Sequence, residues 1–141
     1  METSEVRKRV LGAIERSRRG ALERRARADE ATREFDGFLE RTAVPLFRQV
    51  AGALKAQNYA FQVFTPGGSV RLMSERAGED YIEVVLDTSG PQPIVLGRTS
   101  RQRGRRVIEA EQPVGSGAVS ELGEEQLLQF LLTALEPFVE R

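Results

Sequence analysis

The chain has 141 residues, the size of one ordinary domain, and its 21 basic side chains cancel 21 acidic ones. It contains no Cys, no His and no Trp. These absences exclude disulfides, thiolate or imidazole metal sites, Cys nucleophiles and His general bases, and with them the Ser-His-Asp and Cys-His arrangements.

With 40% hydrophobic and 30% charged residues, the composition is that of a folded chain. No apolar run approaches the roughly 18 residues needed to span a bilayer. The amino terminus, METSEVRKRVLGAIERSRR, lacks the continuous apolar stretch of a secretory signal. The expectation is a cytoplasmic protein with no membrane, metal or cofactor partner.

Residues 3–57 are rich in Ala, Arg, Glu and Leu and contain no Pro before Pro45, a composition that predicts helix. Thr3 and Ser4 are candidate N-caps. Val6, Val10, Ala13, Ile14, Ala21 and Leu22 fall near one face, but the stripe thins to alanines between Glu15 and Arg33. Residues 1–34 therefore read as a helical arm that pairs with another helix or projects into solvent. From Phe35 the stripe strengthens through Phe38, Leu39, Ala43, Leu46, Val50 and Leu54. Pro45 cannot donate a backbone hydrogen bond and collides with the carbonyl of Arg41, so a break or kink is expected at residues 42–45, followed by helix to about Gln57.

The period changes from 3.6 to 2 after residue 58. Residues 59–64, 70–75, 80–87, 94–100 and 105–111 read as five short strands of an antiparallel meander. Thr65-Pro66-Gly67-Gly68 predicts a type II turn with Gly67 in the positive-φ position. Residues 121–139 form a last helix, with Glu121, Glu124 and Glu125 at its positive end. Its only polar stripe is Gln126, Gln129, Thr133, Glu136 and Glu140. Such a helix needs cover on two sides: the sheet, and either the 35–54 helix or a second copy of the chain. The expected architecture is α+β: an arm of residues 1–34, then a domain of residues 35–141 with helix, antiparallel sheet and helix.

Charge is unevenly placed. Residues 1–34 carry a net +3, residues 35–97 −2, residues 98–106 +5 and residues 107–141 −6. The basic spot, Arg98, Arg101, Arg103, Arg105 and Arg106, surrounds a predicted hairpin turn, and arginines on a two-stranded ribbon suit a phosphate backbone. Against that reading, the hairpin has no stacking aromatic and the sequence pI is about 6.4. A solvated loop whose arginines pair with Glu83, Asp87, Glu109 or a partner's acidic helix is the favoured account of them. The Thr65–Ser69 glycine loop has no following GK[ST] and reads as a turn. Glu79, Asp80, Glu83 and Asp87 do not form a convergent set of oxygen ligands.

These readings favour a non-enzymatic interaction module that self-associates through its helices, as a homodimer or with another protein. The candidate interface is Val6, Val10 and Ile14 on the arm and Leu128, Leu132 and Leu135 on the last helix. The alternative is a nucleic-acid-associated protein using the arginine hairpin of residues 98–106.

Overall fold

The computed structural model describes residues 1–140. It begins with α1 (Thr3–Phe38), followed by a π-helical turn (Leu39–Ala43) and α2 (Val44–Ala56). Phe38, Leu39, Ala43 and Val44 all keep right-handed helical dihedrals. The α-type hydrogen bonding is thus interrupted beside Pro45, yet no loop intervenes. Val44 N–H donates to the Leu39 carbonyl, five residues back. The wider turn relieves the clash between the Pro45 ring and the backbone behind it, as π-bulges do. Gly12 and Gly20 lie within α1 and do not break it.

The π turn also changes which residues are buried. Each helical residue advances by about 100°, so an extra residue in one turn rotates everything after it by that amount. Relative to α1 this brings Phe47 into line with Phe35, and Phe47, four residues after Ala43, is fully buried beside Leu46 and Ala43. Asn58 then ends α2 with a φ of 68°. The bonds Tyr59 N–H to Leu54 O (2.9 Å) and Asn58 N–H to Lys55 O (3.0 Å) form a Schellman close.

The sheet is a five-stranded antiparallel meander in the order β1 (Phe61–Phe64), β2 (Ser69–Ser74), β3 (Tyr81–Asp87), β4 (Ile94–Arg103) and β5 (Arg106–Pro113). Two turns differ from expectation by small shifts. At the first, the positive φ falls on Gly68, and Ser69 N–H bonds to Pro66 O at 3.0 Å, one residue later than the Pro-Gly signature suggested. At the last, β4 and β5 run on until Arg103 faces Arg106, leaving the two-residue turn Gly104-Arg105 with Gly104 at φ 65°. Positive φ at the first central position alone is the II′ pattern, which matches strand twist.

After a short 3₁₀ turn (Val119–Glu121), α3 (Glu124–Val139) crosses back over the sheet. Gly123 N–H donates to Gln126 Oε1 at 3.0 Å, closing one half of a capping box. Both helical segments lie on the same sheet face: α2 over β1 and β2, α3 over β3 and β4. Between helices and sheet the core comprises Phe35, Phe47, Leu72, Ile82, Val84, Leu127 and Leu131, among others. The Phe130 ring lies against the backbone of Gly97 on β4, where any Cβ would overlap it.

That contact predicts that Gly97→Ala destabilises the fold by about 1–3 kcal/mol through overpacking. Denaturant unfolding should show this loss, and Gly97→Ala combined with Phe130→Leu should recover part of it.

Candidate functional site

Among the described residues, no group of three or more His, Cys, Asp or Glu side chains is placed to hold a metal ion. The surfaces able to engage a partner are the arm, the β4–β5 hairpin and the outer side of α3.

The arm is bare. Phe35 is the first buried residue of the chain, and before Arg27 the helix is essentially solvated. Near Arg27 it meets the body: Arg27 Nη2 donates to the Pro91 carbonyl at 3.4 Å, and Glu30, Ala31 and Glu34 lie beside Pro93 and Val119. Val6, Val10 and Ile14 follow the same helical face as the half-buried Ala28 and Ala31 and the buried Phe35 and Phe38, since those positions step by three, four and fourteen residues. Val10 is nonetheless 51% exposed and Ile14 41%. Residues 1–27 hold nine basic and four acidic side chains, a net +5. One ion pair, Glu5 to Arg9 at 3.0 Å, supports the helix and contributes a few tenths of a kcal/mol at most.

The five hairpin arginines do not form one patch. Strand alternation and register place Arg101, Arg103 and Arg106 on the helix-bearing face and Arg98 on the opposite, open face. Arg98 Nε donates to Glu111 Oε2 at 2.8 Å, and this bond raises its pKa above the usual guanidinium value. Arg101 is half-buried against the end of α3, in a groove shared with Ile108, Phe130 and Pro137. Arg103, Arg105 and Arg106 are exposed at the tip, with no ion pair among the described residues.

On α3, Leu135 is only 7% exposed and belongs to the core, so it is unavailable to a partner; the π turn packs against α3 within the same chain. Leu128 is partly packed against the core, whereas Leu132 is 53% exposed. Glu125 and Glu136 lie on the same outer side at helical spacing.

Sequence reading overlooked a charge row on the open face. Register aligns Arg71, Glu83, Arg98 and Glu111 across β2, β3, β4 and β5. Glu83 is 6% exposed and receives Arg71 Nη2 at 2.8 Å and Nε at 3.0 Å, while Arg71 also stacks over Tyr81 at 4.1 Å. The signal was present as alternate charged residues on four strands, but it emerges only when the turns fix the register. Asp80 and Asp87 each accept a backbone N–H. Asp80 Oδ1 accepts from Gln102 N–H at 2.7 Å, and Asp87 Oδ1 from Ser89 Oγ at 2.6 Å and Ser89 N–H at 2.9 Å.

The chain matches no family model, no curated protein and no solved structure. Among the described residues, no helix is long and apolar enough to cross a membrane.

Two outcomes follow from the carboxylates. Arg71→Met leaves Glu83 buried without its counter-charge and should cost about 3 kcal/mol in chemical denaturation, whereas Arg71→Met with Glu83→Met should restore most of it. The Ser89 bonds hold the Asp87 carboxyl below its ordinary pKa. Its contribution is therefore complete at neutral pH and is lost as pH falls through the folded-state value. Ser89→Ala should move the Asp87 titration, followed by NMR, upward toward the ordinary carboxylate range.

Proposed function

We propose that this protein is a non-enzymatic, self-associating interaction module in which the basic arm of one copy packs on the acidic outer side of α3 of another. The observation that carries this reading is the arm itself: a helical face continuous with the buried one, still apolar at Val6, Val10 and Ile14, and covered by nothing in the same chain. Each such side chain contributes about 1.5–3 kcal/mol when taken fully out of water. A projecting helix of this kind gains its stability from packing rather than from propensity.

Charge favours α3 over a second arm as the covering surface. Two arms at +5 repel, whereas Leu128 and Leu132 sit between Glu125 and Glu136 on a helix with no basic side chain. Reciprocal exchange of arms makes the contact isologous and closed. Light scattering of the full chain should give a mass above one protomer. Val10→Glu with Ile14→Glu, and separately Leu132→Glu, should each lower that mass, and raised salt should weaken the assembly. A mass equal to one chain, or one that neither variant changes, would overturn the proposal.

Arg103, Arg105 and Arg106, exposed and without acidic partners at the hairpin tip, favour nucleic acid as the second reading. Fluorescence anisotropy with duplex DNA and single-stranded RNA should then show affinity that falls steeply with salt and is abolished by Arg103→Glu with Arg105→Glu. Absence of binding at low salt rules it out.

A further inference from the structure

The two ends of the sheet differ. β1 is four residues long and lies under α2, whereas β5 is eight residues long and exposed throughout. β5 pairs with β4 on one side only. In a two-residue hairpin the flanking pair exchanges both backbone bonds, so Arg103–Arg106, Arg101–Ile108 and Thr99–Ala110 are the hydrogen-bonded pairs. The bond from Val114 N–H to Val95 O (3.0 Å) continues the same phase. The N–H and C=O groups of Val107, Glu109 and Glu111 therefore point outward along a free edge.

The residues along that edge are self-complementary. Arg105-Arg106-Val107-Ile108-Glu109-Ala110-Glu111 is basic at its start, apolar in its middle and acidic at its end. We propose that β5 pairs antiparallel with β5 of a second copy, with the two-fold axis at Ile108, joining two sheets into one of ten strands. Ile108 then meets the partner's Ile108 as a non-hydrogen-bonded pair, Val107 meets the partner's Glu109, and Arg105 meets the partner's Glu111.

Continuity with the open-face charge row selects this register. Arg71, Glu83, Arg98 and Glu111 alternate in sign across four strands and stop at an acid whose side chain is 52% exposed. Arg105 is the turn residue directly before β5, and the register brings the partner's Arg105 beside Glu111 at the end of the row, where it supplies the next alternating charge. Competing registers fail. A shift of two residues in one direction sets Glu109 against Glu109, and a further one sets Glu109 against Glu111 twice. A shift in the other direction pairs only residues 106–108 of each strand and, although Arg105 then lies opposite Glu109, it leaves Glu111 at the end of the row without a partner. Slips by one residue put Ile108 and Ala110 on the wrong face. This contact is separate from the arm.

The absence of cysteine makes the register directly readable. In the full chain Ile108→Cys should form an intermolecular disulfide under mild oxidation, because facing residues of a non-hydrogen-bonded pair have Cα atoms about 4.5 Å apart. Ala110→Cys should not, since the two copies of residue 110 lie four residues out of step, roughly 13 Å apart. Arg105→Glu in the Ile108→Cys protein should slow cross-linking about three- to tenfold, the size expected for losing two cross-strand ion pairs. The cross-link should persist with Val10→Glu and Ile14→Glu present, which separates this interface from the arm contact. No disulfide at Ile108, or equal yields at positions 108 and 110, would overturn the proposal. An Arg105→Glu rate equal to that of the parent would overturn the assigned register.

Discussion

The seating of α3 on the sheet, through Phe130 against Gly97, decides what the rest of the molecule can do. Packed helices stand about 8–10 Å apart and strands about 4.8 Å, so two helices side by side cover four strands. Phe130 over Gly97 holds α3 on β3 and β4, with α2 occupying β1 and β2. The fifth strand is left beyond the helical layer, bare on its edge and on both faces. The first 27 residues of α1 continue the same helix with no turn to fold them back onto the domain, and they stay largely exposed.

Neutral overall charge follows from segregation rather than scarcity. The arm is basic, the hairpin tip is basic, and the carboxyl-terminal helix with its preceding strand is acidic. Within one copy only three ion pairs form among the described residues, and two of them belong to a single cross-strand row. Most of the charge is thus held on surfaces that this copy does not neutralise. Complementary partners, whether arm against α3 or β5 against β5, would use those charges in a way a lone protomer does not.

The order of elements and the meander were legible in the residues because each rests on local physics. The period shift after residue 58, the glycine and proline turns and the acid-rich start of α3 all act over a few residues. The same chain covers the side of α3 that carries Leu135, while Leu132 and part of Leu128 stay exposed. The arginine cluster, adjacent in sequence, divides between two sheet faces because successive strand residues point in opposite directions.

What the sequence determined by itself, then, is which segments are helix and strand, the absence of the residue types used for thiol and imidazole chemistry, and the uneven charge. Tertiary structure decided the rest. The π turn before Pro45 rotated the face of α2 that carries Phe47 relative to that of α1, which a regular 3.6-residue period does not show. The register joined Arg71, Glu83, Arg98 and Glu111, which are up to 40 residues apart in the chain, into one row. Both depend on how whole elements meet, and that is fixed by packing area and strand pairing rather than by any local run of residues.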